Sequence, residues 1–175
     1  MGKILFFYNS SDLRINSKNK IELVFWSPSL FEIKPILFPF MPFFIWYMFH
    51  FLGIFASNKY SIAYIKNKNK NKNKILHKTL IFPKFYRFPF MKKQDLQLGD
   101  ILTEKSFRGN GVASKVISSI LDKYESNNFW FLCNENNIPS IMIAHHNNFK
   151  LQGYGYKVTP FGLNIFSYYK LLKKY

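Results

Sequence analysis

The hydrophobic spacing changes period at FRGNGVAS (107 to 114), and that change limits the folds open to the chain. Before it, in DLQLGDILT (95 to 103), Leu96, Leu98 and Ile101 mark the core face of a half-buried strand, disturbed near Gly99 and Asp100. Gly99 signals a bulge or a close backbone approach. After it, Val112, Val116, Ile117, Ile120, Leu121 and Tyr124 recur at threes and fours, which predicts an amphipathic helix with Ser114, Lys115, Ser118, Ser119 and Asp122 on its polar face. The glycines therefore lie at a junction of strand and helix. FWFLC (129 to 133) follows as an unbroken apolar run, the pattern of a strand buried on both faces.

The remaining segments fit around this unit. KYSIAYI (59 to 65) and ILHKTLIFP (75 to 83) read as two strands of a hairpin whose tip is the low-complexity run KNKNKNKNK (66 to 74). In NENNIPSIMIAHHNNF (134 to 149) a short helix is expected from about Ser140, with Pro139 tolerated near its start and Asn147 and Asn148 suited to a left-handed exit. KLQGYGYKVT and FGLNIFSYYKLL give two more strand candidates. This order is α/β or α+β with a mixed sheet. At 175 residues, one domain over 1–175 is the expectation.

Residues 35 to 58 contain no Asp, Glu, Lys or Arg. Pro39 and Pro42 break this stretch early, and Phe43 to Ala56 is shorter than the ~20 residues a membrane span needs. A buried or groove-lining helix is expected, with attachment to a membrane surface as the alternative. The first residues, MGKILFFYNS, hold an apolar patch too short for a signal peptide, and Phe6 stands where a myristoylation signal requires Ser or Thr. Residues 1–58 form a divergent N-terminal part of the domain.

Charge narrows the partners without choosing one. Against 25 Lys and Arg stand 9 Asp and Glu, a formal +16 in a chain that is 20% aromatic. Such a field attracts nucleic acid, anionic lipid and phosphorylated cofactors alike. Lys, Asn, Ile, Phe and Tyr are inflated together, as in a gene poor in G and C, so half of the charge is discounted as a functional sign. The single Cys133 excludes an intramolecular disulfide and a zinc cluster, which suits a reducing cytoplasm. Inside FWFLC it reads as a small buried hydrophobe. His145 and His146 are adjacent on one helix, point in different directions and complete no metal site, which leaves them a surface or acceptor-site role.

The turn itself has the makings of an anion site. The N–H groups of a first helical turn lack internal partners, and the helix dipole adds partial positive charge. Gly109 and Gly111 let a diphosphate approach those amides, Arg108 adds charge, and Ala113 and Ser114 leave the entrance uncrowded. The stretch is neither a Walker loop nor a dinucleotide fingerprint.

Arg108, Gly111 and Ala113, taken with Asn137, Ser140 and Phe149 about 25 residues and more downstream, resemble the GCN5-related N-acetyltransferase (GNAT) superfamily. IFPKFYRFPFM followed by DLQLGDILT is similar to members found among bacterial surface-polysaccharide genes, and the resemblance runs from about Tyr60 to Tyr156. It implies a mixed, mostly antiparallel central sheet with a splayed strand pair, flanked by helices, with acetyl-CoA as co-substrate and no metal. Arg108, Gly109, Asn110, Gly111, Val112, Ala113 and Ser114 would hold the coenzyme A pyrophosphate, with Asn137 and Ser140 along the pantetheine side. Backbone N–H groups near Leu102 and Thr103 would receive the thioester carbonyl oxygen. Asp100 and Glu104 are the candidate bases, and Asp95 lies farther off. The tyrosine that many members use as an acid is Ala144 here, and the glycine four residues on is Asn148, so Tyr154, or else Tyr156, on the next strand becomes the candidate acid, unless the reaction needs none.

The implied activity is transfer of an acetyl group to a primary amine of a small molecule, an amino sugar among the candidates, by direct attack. The protein would act as a monomer or homodimer, in the cytoplasm or peripherally at the inner membrane face, with no specific nucleic acid partner. The alternative from a different class is a non-enzymatic basic protein that binds nucleic acid or an anionic membrane surface through KNKNKNKNK and YYKLLKKY.

Overall fold

The isoleucine-containing stretches on either side of the Lys/Asn repeat pair as antiparallel strands, and one eight-stranded sheet grows outward from them. The computed structural model describes residues 2–10, 23–29, 32–35, 38–55, 60–66 and 75–173. Its strands are β1 (Ile4–Asn9), β2 (Val24–Trp26), β3 (Ser61–Lys66), β4 (Ile75–Pro83), β5 (Leu96–Thr103), β6 (Phe129–Asn134), β7 (Lys150–Val158) and β8 (Tyr168–Lys173). Three helices accompany them: α1 (Phe40–Phe51), α2 (Val112–Lys123) and α3 (Ile138–His146). The spatial order is β2-β3-β4-β5-β6-β1-β7-β8. β5 and β6 run parallel, and the other neighbours pair antiparallel.

Successive residues of a strand point to opposite faces, and here both faces are covered. Phe7, Leu96, Leu98, Phe129 and Phe131 pack with Val116, Ile117 and Ile120 of α2 and Ala144 of α3. Their neighbours Phe6 and Trp130 point the other way, into an aromatic cluster with Trp26, Tyr60, Phe82, Phe85 and Phe43 of α1. FWFLC is apolar throughout because β6 is clothed on both sides. Each fully buried Phe removes enough apolar surface from water to favour folding by about 1.5–3 kcal/mol. Among the described residues one carboxylate is sunk beside this core: Asp95 is 1% exposed, and it accepts hydrogen bonds from Trp130 Nε1 (2.8 Å), the Lys92 amide (2.9 Å) and Asn128 Nδ2 (3.3 Å). It anchors the end of β5 remote from the glycine turn.

Several boundaries differ from those read in the sequence. α1 begins at Phe40 rather than Phe43: Pro39 is its N-cap, and Pro42 falls in the first turn, where a missing N–H costs no helical bond. It ends at Leu52 before Gly53, whose φ is 67°, while residues 56 to 58 of the apolar segment lie outside the described residues. α3 starts at Ile138 rather than Ser140, because the Asn137 side chain accepts from the Ser140 amide (3.2 Å) and so caps the helix earlier. The last strand starts only at Tyr168: Phe161 (φ 53°) and Gly162 (φ 72°) turn the chain, and residues 160–166 form two short 3-10 turns. The apolar patch near the N-terminus is β1, a central strand between β6 and β7, and β2 has no counterpart in the sequence reading. The hairpin tip, residues 67 to 74, lies outside the described residues. Among the described residues no helix is long and apolar enough to cross a membrane.

Candidate active site

β5 is held by β4 along its length, but its partnership with β6 stops at Leu98↔Phe131. The interruption lies where the sequence places a bulge. Register with β4 shifts between Lys78 and Leu80, and Asp100 takes a φ of 44°, a left-handed conformation that Asp tolerates better than most residues. Beyond it β5 leaves its parallel neighbour, and the two strands splay.

A cleft of about 520 Å³ opens on the α2/α3 face of this splay. Ile101, Leu102 and Thr103 of β5 form one wall. Arg108, Gly109 and Gly111 of the turn, with Val112, Ala113 and Ser114 of the first turn of α2, form the second. Asn137 and Ser140 at the start of α3 form the third. Of the residues expected to hold a cofactor, Asn110 alone does not line it. Phe107, Met142 and His146 line it too, and the sequence reading gave none of them a part in holding a cofactor.

The turn owes its shape to two glycines in the left-handed region, Gly109 at φ 80° and Gly111 at φ 69°. A Cβ built on either meets no atom within 4 Å, so the space before the turn is open to a ligand. Gly111 is the N-cap of α2 and has no side chain to accept from the helix, which leaves the first-turn N–H groups to an external acceptor. Arg108 is positioned by its Nε, which donates to the Thr103 carbonyl (2.9 Å). Thr103 is fixed in turn by His77, whose Nδ1 lies 2.8 Å from Thr103 Oγ1 and whose Nε2 lies 2.9 Å from Thr79 Oγ1. His77 is fully buried, and burial pushes its pKa down to about 4, so the ring is neutral and donates to one hydroxyl while accepting from the other. Across the cleft, Asn147 Nδ2 donates to Ser114 Oγ (2.9 Å) and to the Ile143 carbonyl (2.8 Å), tying the end of α3 to the start of α2. Sequence reasoning missed both His77 and Asn147 as supports of this wall.

A second cavity of about 280 Å³ opens on the opposite, aromatic face of the sheet. Trp46, Phe82, Phe85, Phe88 and Tyr169 wall it, and Gln97, Gly99, Asp100 and Leu132 bring it to the point where β5 parts from β6. Consecutive residues of the bulge thus serve two chambers: Asp100 lines the aromatic cavity and Ile101 the glycine-turn cleft. Trp46, from the apolar segment, connects that segment to the cavity wall.

The candidate proton-transfer groups are not gathered in one place. Asp100 lines the aromatic cavity and pairs through Oδ2 with Lys78 of β4. Glu104 stands just past β5, its amide donating to the Leu76 carbonyl (2.9 Å), and lines neither cavity. Tyr154 on β7 is opposite Leu5, with β6 and β1 between it and β5, and its ring lies 4.5 Å from Lys3 Nζ. It also lines neither cavity. The insertion of β1 removes β7 from the position next to β6 that the sequence order suggests. Ala144 is fully buried in the core and Asn148 takes a φ of 59°, the left-handed exit expected of it. Burial pushes the Cys133 thiol up to about 11, which keeps it protonated and inert. Among the described residues no cluster of His, Cys, Asp and Glu could hold a metal ion.

Solved structures share this architecture. A chain from Novosphingobium aromaticivorans classed with the GNAT acetyltransferases aligns at a TM-score of 0.54 and 9% identity, over 87% of this chain and 61% of its own. A GNAT-family acetyltransferase from Colwellia psychrerythraea aligns at 0.53 and 15% identity, over 88% and 54%. A tandem GNAT protein from the clavulanic acid biosynthesis pathway aligns at 0.57 and 10% identity, over 86% and 50%. The chain spans half to three fifths of the length of these proteins. No protein-family model and no curated protein matches the sequence. The likeness is one of fold: a single α/β domain whose mixed sheet and flanking helices are those of the GNAT acetyltransferases.

Proposed function

We propose that the chain is an acetyl-CoA-dependent N-acetyltransferase acting on a primary amine of a small molecule, an amino sugar being one acceptor class open to it. The observation that carries this reading is that two cavities, on opposite faces of the sheet, are lined by the adjacent residues Asp100 and Ile101 where β5 parts from β6. The glycine-turn cleft fits a phosphorylated ligand: its turn is unobstructed, its helix start is uncapped, and Arg108 is anchored beside it through one nitrogen, with its terminal amino groups left to the ligand. Bound there, acetyl-CoA supplies an acyl group activated as a thioester. The N–H groups of Val112, Ala113 and Ser114, with Arg108, hold the pyrophosphate. Backbone N–H groups near Leu102 and Thr103 accept the charge that develops on the carbonyl oxygen.

The amine enters from the aromatic cavity, where Asp100 receives the ammonium and takes one of its protons. Attack of the nitrogen forms the N–C bond and breaks the C–S bond, and the second proton passes to the departing sulfur. One proton thus leaves to solvent and one stays on the thiol. Holding both reactants at one gap supplies much of the rate advantage, because the encounter becomes intramolecular.

Calorimetric titration with acetyl-CoA tests the reading. The wild-type chain should bind saturably and Gly111→Trp, with its circular dichroism intact, should not. Arg108→Gln should weaken binding by about 10- to 100-fold, the worth of a charge-assisted phosphate contact. A folded wild-type chain that binds no acetyl-CoA would overturn it.

A further inference from the structure

The aromatic cavity carries more chemistry than an amine pocket requires, and the surplus lies in Arg87. Its backbone carbonyl accepts from the Tyr169 amide (2.9 Å), its Nη2 donates to the Asn164 carbonyl (3.0 Å), and its guanidinium carbon lies 6.0 Å from the centre of the Phe85 ring. The guanidinium itself is held by the Nη2 hydrogen bond and by the ring contact. Its Nε is enclosed and has no hydrogen-bond partner, and no carboxylate among the described residues pairs with it. A guanidinium held among aromatic rings without a counter-ion is an electrostatic deficit that an incoming anion removes. Its planar fork of N–H donors matches a carboxylate two bonds at a time.

Asp100 lines the same cavity, with Oδ2 on Lys78 and Oδ1 left to a ligand. The cavity thus carries a guanidinium without a counter-ion at Arg87 and a carboxylate shared with Lys78 at the bulge that borders the glycine-turn cleft. A zwitterion with its carboxylate on Arg87 would turn its amine toward that bulge. Aromatic rings supply much of the remaining wall, with Phe88 and Tyr169 stacked at 5.8 Å and 13° and Trp46 edge-on to Phe82 at 5.1 Å. At 280 Å³ the space equals about nine waters at ~30 Å³ each, the bulk of a small molecule rather than a nucleotide. A sugar would bring several hydroxyls to these walls, where the Gln97 amide nitrogen already donates to the Leu98 carbonyl.

Resting on the acetyltransferase reading, we propose that the acceptor is an amine of the aromatic α-amino-acid class, its carboxylate held by Arg87, its flat side chain between the rings and its ammonium on Asp100. The product is the N-acetyl amino acid, formed with release of free thiol and one proton. Arg87 determines specificity in this scheme and takes no part in the acyl transfer.

Calorimetry on the full chain, with and without CoA, would compare L-phenylalanine, phenethylamine and glucosamine. Phenylalanine should bind at least about tenfold tighter than phenethylamine, the discrimination expected of a bidentate charged contact, and glucosamine should show no saturable binding. Arg87→Gln should bring phenylalanine to within about twofold of phenethylamine, and Arg87→Lys should fall between, because it keeps the charge and loses the fork. The wild-type comparison stands even where a variant fails to fold. Phenethylamine equal to phenylalanine, glucosamine tighter than either, or no acceptor binding by a chain that takes up acetyl-CoA would each overturn the acceptor assignment and leave the acetyltransferase reading standing. Phenylalanine bound as expected by a chain that takes up no acetyl-CoA would sink the acetyltransferase reading and keep the pocket. Binding of neither would overturn both.

Discussion

Buried between Thr79 and Thr103, His77 links the core of the sheet to the wall of the glycine-turn cleft. Its ring is neutral when folded and titrates near 4, against about 6.5 in an unfolded chain. Between those values the unfolded state binds the extra proton, so stability falls as pH falls, by about 1.4 kcal/mol per unit and about 3 kcal/mol in all. Below about 4 the folded ring also protonates and this loss stops growing. Urea unfolding at pH 7, 6, 5 and 4 should show that slope, and His77→Gln should flatten it while lowering stability at pH 7 by about 1–3 kcal/mol through the hydroxyl left unpaired. An unchanged slope in the variant would place the titrating group elsewhere. The strand was legible, but the burial of His77 was not, because the alternate positions Leu76, Leu80 and Phe82 are the more apolar set; nor was its partner Thr103, because register with β5 is a tertiary fact. Asp100 was legible as an interruption of the strand period, and its Lys78 partner was hidden for the same reason.

At the scale of elements, the strand–turn–helix of residues 95 to 123 could be read directly, because a change of period and two glycines are local signals. β1 could not. Its six residues, ILFFYN, are too short and too uniformly apolar to show a period, and its partners β6 and β7 lie more than a hundred residues away. Its place in the sheet rests on packing that one glycine permits. A Cβ on Gly155 of β7 would collide with the Lys170 carbonyl of β8 and come within 2.8 Å of Phe6 Cε2. Both neighbouring strands therefore close over a position without a side chain. Gly155→Ala should cost about 3 kcal/mol or more by forcing β8 and Phe6 apart, and Phe6→Ala about 3–5 kcal/mol through the cavity it leaves. Because the two share one contact, the double variant should cost clearly less than their sum, a coupling that denaturant midpoints of the three proteins would reveal. Additive losses would mean that the ring and the glycine are not packed against each other.

For the molecule as a whole, the question is what a formal charge of +16 contributes to a cleft already furnished with Arg108 and a helix start. A field of that sign raises the local concentration of any polyanion, and acetyl-CoA is one, whereas a zwitterionic acceptor has no net charge for the field to act on. Salt separates the two contributions, since the screening length falls from about 10 Å at 0.1 M to about 3 Å at 1 M and removes distant charges before adjacent ones. Between those concentrations the dissociation constant of acetyl-CoA should rise by about tenfold, while that of L-phenylalanine changes by less than about twofold. Calorimetry across the salt series reads both. Arg108→Gln should weaken acetyl-CoA at every salt concentration and leave most of the slope, because the slope belongs to the many lysines at a distance and not to the one arginine in contact. A flat salt series would show instead that the charge is irrelevant to this site and that the cleft alone holds its ligand. A phenylalanine series as steep as that of acetyl-CoA would mean that the field acts on both chambers.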